Sequence, residues 1–151
     1  MMTGMKRYEL LTIGYEGREI DEFVQRLKQF NISRLIDVRE VPLSRKKGFS
    51  KPALRERLQH EHIEYVHIKA LGSPSSLRNK LRTDWDYEYF FKAYSEYLSH
   101  NMEVVKEVYE YIFVGNICIM CFEGSHEKCH RSAVADKIKE YDGNGLNIKH
   151  I

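Results

Sequence analysis

Hydrophobic and polar positions fall into two alternating kinds of segment along the chain. Residues 8–13, 33–38, 64–68 and 117–121 are short apolar runs rich in β-branched side chains, and they predict strands; residues 146–151 predict a short final one. Between them, apolar residues recur at helical spacing. Ile20, Phe23, Val24 and Leu27 mark a helix over 19–30, with Asp21 in its first turn where the helix dipole favours an acid. A second helix is expected over 51–60, with Ser50 as N-cap and Pro52 in its first turn. Asp84 or Asp86 is expected to cap a helix running to Leu98; further helices are expected over 102–113 and 132–141. Residues 41–49 read as a basic loop, 70–76 as a loop and Gly143-Asn144-Gly145 as a turn.

Strands alternating with helices predict an α/β fold, a three-layer Rossmann-like sandwich around a mostly parallel sheet of about five strands. The expected unit is a single domain over 8–151, since 151 residues make about one domain. Strand order is not readable, but the two helices before the fourth strand can form a hairpin inserted into one crossover.

Composition narrows the setting. Hydrophobic content of 42% with 30% charged residues fits a soluble globular protein. A net charge of +2 does not by itself imply nucleic acid. The charge is uneven, though: from Arg39 to Arg57 seven Lys/Arg face two Glu, which is an anion-attracting patch or a solvated loop. Cys118, Cys121 and Cys129 are an odd set, and residues 1–7 lack the apolar core of a secretory signal. No apolar run approaches the roughly 20 residues needed to cross a bilayer. The expectation is a cytoplasmic protein with free thiols and no membrane partner.

Parallel strands point their carboxyl ends to one rim, where ligands bind in open α/β sheets. The predicted strand ends deliver Tyr15; Asp37 and Arg39, followed by Ser44 and Arg45; His67; and Cys121 and Glu123, followed by Cys129, His130 and Arg131. Each has a plainer reading. Asp37 can cap a loop or pair with Arg39 or Arg131, His67 can be a core histidine, and Glu123 can be a solvated acid. Cys118 is expected to be a small buried hydrophobe, His126 an exposed loop residue and His150 structural. The aromatic residues of 87–97 are expected to pack the core.

Three chemistries are open to the segment from Cys121 to Arg131. Helix N–H groups with Arg131 can hold a phosphate or carboxylate, and Cys129 in the first turn would favour its thiolate. Phosphatase or rhodanese chemistry is disfavoured, because nine residues separate Cys121 from Arg131. A zinc site is conceivable from Cys121, Cys129 and His130 with Glu123, His126 or His67. The spacing is poor, however, and adjacent Cys129 and His130 are not expected to both point inward, so no metal ligand is assigned. In the third chemistry Asp37 or Glu123 works as acid or base while Arg39 and Arg131 orient an anionic substrate.

Thr12-Ile-Gly-Tyr15, Leu35-Ile-Asp-Val-Arg39, Pro42-Leu-Ser-Arg45, Phe49, Tyr65-Val-His67, Leu71-Gly72, Cys121-Phe-Glu123, Cys129-His-Arg131 and His150-Ile151 together resemble the domain of unknown function 488 family. The resemblance runs from about Leu10 to Ile151. It implies a compact α/β fold and marks Asp37, Arg39, Ser44, Arg45, Cys121, Glu123, Cys129, His130 and Arg131; the family carries no settled activity. Glu16 and Ser73-Pro74 depart from its pattern, with Arg78 placed to compensate near Gly72.

The leading expectation is an enzyme acting on a phosphate-bearing substrate, a small molecule such as a nucleotide, or nucleic acid. In it Asp37 or Glu123 is the acid or base and Cys121 and Cys129 line the pocket. Arg39, Arg45 and Arg131 hold the anion, with Ser44, His67, His130 and Tyr15 around it. The alternatives are a non-catalytic anion-binding module, and a metal or thiol-redox protein whose Cys121 and Cys129 pair on oxidation. Cofactor and oligomeric state are left open.

Overall fold

In the computed structural model, residues 8–151 are described. Five strands form one sheet: β1 (Glu9–Gly14), β2 (Arg34–Asp37), β3 (Glu64–His67), β4 (Ile117–Cys121) and β5 (Asn147–His150). All the pairings are parallel, in the order β3-β2-β4-β1-β5. Helices α1 (Ile20–Gln29) and α2 (Lys51–His60) cover one face; α4 (Tyr87–Ser99), α5 (Met102–Tyr111) and α6 (His130–Asp142) cover the other. The chain is thus the expected three-layer Rossmann-like α/β sandwich.

The two-residue period of a strand decides which layer each side chain joins. On β4, Ile117, Ile119 and Cys121 enter the α4–α6 core, and Cys118 and Met120 enter the α1–α2 core. On α1, Phe23, Val24 and Leu27 supply the buried stripe that seats it. Parity therefore aims Cys121 at the face where α6 begins.

Strand order creates the crevice. From β1 the chain moves through α1 to β2 and through α2 to β3 on one face. It returns to the middle of the sheet at β4, then reaches β5 through α6 on the other face. The loop after β4 consequently departs away from the loops after its neighbours β1 and β2. Such a reversal opens a gap at the carboxyl rim, here at Cys121.

Two details depart from the sequence expectations. A helix, α3 (Ser75–Asp84), occupies part of the expected loop over 70–76 and continues beyond it; Leu77 packs against the core but no residue of the helix is fully buried, so its apolar stripe is weak. Ser50 stands at the N-cap position of α2 but makes no capping bond. Its Oγ instead accepts from the Ser44 amide at 2.9 Å and donates to the Ser44 carbonyl at 3.1 Å, closing the basic loop. Of the two expected caps for α4, Asp86 takes the position, accepting from the Tyr89 amide at 3.0 Å. No helix among the described residues is long and apolar enough to cross a membrane.

Candidate functional site

Two polar assemblies stand side by side on the carboxyl rim. The first is at the end of β2. Asp37 is fully buried, and its Oδ1 accepts from the Arg39 amide at 3.0 Å and from Arg39 Nε at 2.9 Å. Its Oδ2 accepts from Arg39 Nη2 at 2.8 Å and from the Tyr65 hydroxyl at 2.5 Å. Arg39 Nη1 donates to Tyr15 Oη at 3.2 Å and to the Phe49 carbonyl at 2.7 Å, and the Tyr15 ring stacks on Phe49 at 4.4 Å. His67 Nε2 donates to the Arg39 carbonyl at 2.7 Å. Burial alone would lower the pKa of Arg39, but the hydrogen bonds and charge of Asp37 outweigh it and hold the guanidinium firmly protonated. Burial, then the neighbouring Asp37 charge, pushes the Tyr65 phenol up.

The second assembly lies at the end of β4. The β1–β4 ladder continues beyond the strands: the Tyr15 amide donates to the Cys121 carbonyl at 3.2 Å and the Glu16 amide to Phe122 at 2.8 Å. Glu16 Oε1 accepts from the Gly124 amide at 2.9 Å, so this departure from the family pattern ties down the loop carrying Glu123. Gly14 is needed beneath it, because a Cβ there would overlap the Glu123 carbonyl and crowd the Arg131 guanidinium. Arg131 is 1% exposed; its Nε donates to Thr12 Oγ1 at 3.1 Å, and its terminal nitrogens donate to the Glu123 and Gly124 carbonyls. Its side chain therefore braces the loop.

Cys129 and His130 both turn inward, contrary to the expectation that neighbours at a helix start would diverge. Cys129 is not in the helix but is its N-cap, with extended backbone at φ −119° and ψ 139°, and His130 is the first helical residue. That change of backbone swings the two side chains to the same spot. One ligand atom from each of Cys121, Glu123, Cys129 and His130 lies within 4.8 Å of all the others. The Cys121 and Cys129 sulfurs meet at bonding distance, across Cα atoms 7.4 Å apart. His130 Nε2 faces the Val38 carbonyl at 2.7 Å; an oxygen that can only accept requires that nitrogen to carry the proton. Burial pushes the His130 imidazole down to about 4, against the Val38 hydrogen bond, so it is neutral at pH 7. Burial also pushes the Glu123 carboxyl up, against its own amide and the Arg131 charge. Cys118 stays apart, free and buried in the opposite core.

Over this second assembly opens a cleft of about 830 Å³. Cys121, Glu123 and His130 line its inner part, with Tyr15, Arg39 and Ser44 on the β1 and β2 side. Arg45, His67, Asp37, Cys129 and Arg131 do not line it; Arg45 is exposed on the basic loop and the other four are engaged behind the wall. The far wall comes from the elements before and within α4. Arg78 donates to Glu40 at 2.9 Å and to the Ser73 carbonyl. Arg82 and Lys128 also face the cleft, and neither joins an ion pair among the described residues. Trp85, 63% exposed, sits at the break between α3 and α4 in the left-handed region at φ 54°, an uncommon conformation for a bulky residue. Tyr87 and Phe122 add aromatic surface to the same cleft.

Arg82, Trp85 and Lys128 carry no motif, and only the fold brings them to the rim; Phe122 lies inside the Cys121-Phe-Glu123 motif but is not among the expected site residues. Tyr94 and Tyr97 of α4 hold this wall in place by donating to the Leu71 and Ala70 carbonyls, and Gly72 packs so closely on the Glu40 backbone that a Cβ would overlap it.

The family model described as Domain of unknown function DUF488 matches residues 19–138 of the 151-residue chain, and the chain belongs to that family. No curated protein and no solved structure matches the chain.

Proposed function

We propose that this member of the DUF488 family is an enzyme that acts on a phosphate-bearing substrate, a nucleotide or a nucleic-acid strand, in the cleft at the carboxyl rim. The observation that carries this reading is the composition of the cleft. Unpaired cations, Arg82 and Lys128, stand beside open aromatic faces, Trp85 and Phe122, above a carboxyl group, Glu123, at the inner end. Cations suit phosphate oxygens and aromatic faces suit bases, with stacking worth about 1–3 kcal/mol per base. In this reading Glu123 is the acid or base, because it alone of the two candidate carboxyls opens to the cleft. Asp37 and Arg39 are the frame that fixes the ends of β1 and β2. Ser44 and Tyr15 shape the near wall, and Arg131 holds the Glu123 loop rather than the substrate.

The experiment is titration of the protein with mononucleotides and a short single-stranded oligonucleotide, followed by a search for turnover of whatever binds. Saturable binding that weakens with salt and in Arg82→Ala/Lys128→Ala, with turnover lost in Glu123→Gln, supports the proposal. Binding without any turnover makes the protein a binding module instead. Absence of binding, or equal binding by the double variant, contradicts the reading of the cleft.

A further inference from the structure

We propose that Cys121, Cys129 and His130, with both thiols reduced, hold one zinc-class divalent ion at the inner end of the cleft, leaving a fourth position open beside Glu123. The metal site rests on the side-chain cluster alone; only its use on a substrate rests on the function proposed above.

Four observations support it. First, two of the distances in the cluster suit a tetrahedron, Cys129 Sγ standing 3.8 Å from His130 Nδ1 and Cys121 Sγ 3.5 Å from Glu123 Oε2, while the two sulfurs, which here meet at bonding distance, have to part on reduction to reach it. Ligands bound at about 2.0–2.3 Å from a common ion stand about 3.3–3.8 Å from one another. Second, the Cys121 and Cys129 Cα atoms are 7.4 Å apart, beyond the roughly 4.4–6.8 Å usual across a disulfide. Two thiolates converging on an ion between them tolerate that backbone spacing. Third, His130 is already oriented as a ligand. Its Nε2–H donates to the Val38 carbonyl at 2.7 Å, which leaves the Nδ1 lone pair facing Cys129. A backbone carbonyl behind a ligating histidine is the usual outer contact. Fourth, both sulfurs have donors suited to the thiolate state. The Arg131 amide lies 3.4 Å from Cys129 Sγ, and Arg131 Nη1 lies 3.4 Å from Cys121 Sγ.

Charge and softness agree. Two thiolates and an imidazole lone pair neutralise a divalent ion. Sulfur ligands select zinc over magnesium or calcium. Three protein ligands with an open position form the pattern of a catalytic rather than a structural zinc. Cys121, Glu123 and His130 all line the cleft, so the open position faces substrate. There a water would lose a proton to Glu123 and its oxygen would bond to the electrophilic atom of the substrate. The bond to the leaving group would break as Glu123 returns the proton to that group, so that water is consumed and no redox change occurs.

The test uses full-length protein purified with reductant, without a histidine tag or added metal. Expected are near one zinc per chain in the wild type and in Glu123→Gln, and a tenfold or greater loss in Cys129→Ser and Cys121→Ser. Cys118→Ala, which changes a thiol outside the cluster, keeps the metal. Independently of any variant, metal-stripped reduced wild type titrated with Co²⁺ gives thiolate-to-cobalt absorption saturating at one ion per chain. The proposal is overturned if the reduced wild type contains no zinc and takes up no Co²⁺, or if folded Cys129→Ser retains the metal. Zinc without nucleotide binding would sink the substrate reading alone; nucleotide binding by a protein that takes no metal would sink this one alone.

Discussion

The ends of β2 and β4 are neighbours on one rim, and both are crowded with polar groups, yet they differ in what those groups still have to give. At β2, Asp37 accepts four hydrogen bonds and is closed to solvent, and Arg39 donates to its whole surroundings. At β4, Cys121, Glu123 and His130 face an open cleft. Saturated polar groups fix geometry, and unsatisfied ones remain available for a ligand. That difference is the ground for the proposal that one assembly is structural and the other carries the chemistry, although residue type alone would favour either.

Removing one partner of the closed assembly should have the largest effect. Asp37→Ala strands the Arg39 guanidinium in a buried site, and a loss of about 3–5 kcal/mol of stability is expected in urea unfolding. A loss below about 1 kcal/mol would show that the assembly is not a frame. Glu123→Gln is the converse: stability should stay within about 1 kcal/mol while turnover of a bound nucleotide falls by about 10²-fold. If that substitution unfolds the protein instead, the contrast between the two assemblies collapses.

Trp85→Ala should weaken oligonucleotide binding by about 1–3 kcal/mol, and Arg82→Ala/Lys128→Ala should flatten its salt dependence. Unaltered affinity and salt slope would move the ligand away from this wall.

The smallest effect concerns His150. Burial, then the stacked His126 3.7 Å away and Arg131, pushes His150 down to about 4, and its Nδ1 lies 2.5 Å from Thr12 Oγ1. A histidine depressed in the fold contributes stability above its ordinary pKa of about 6.5, and that contribution is lost as pH falls towards 4. Solvent screening reduces it to about 1 kcal/mol. Urea unfolding at pH 7.5 and 4.5 should show a smaller difference in His150→Asn than in the wild type.

Much of this architecture is legible in the pattern of apolar residues. The run ending at Cys121 and the spacing of Phe23, Val24 and Leu27 mark elements that bury a face, and burial is what leaves a period in a sequence. α3 has no fully buried residue, only Leu77 packed against the core and Leu81 half-buried, and leaves a weak one. The convergence of Cys121, Glu123, Cys129 and His130 needs two facts beyond composition: the parity of β4 and the extended backbone of Cys129. Arg82 and Trp85 reach the rim only because α3 and α4 fold over it, so no local signal marks them. Conversely, Asp37 and Arg39 stand out by residue type, while their saturation by Tyr65, Tyr15 and Phe49 depends on contacts distant in sequence.

Trp85 is the single tryptophan of the chain and stands in the wall of the cleft, so its fluorescence reports on the central claim that the open half of the rim holds the substrate. Adding nucleotide or single-stranded oligonucleotide should quench it saturably, with a midpoint that rises with salt and rises further in Arg82→Ala/Lys128→Ala. Emission that stays constant while binding is detected by another method would place the ligand elsewhere and contradict the account.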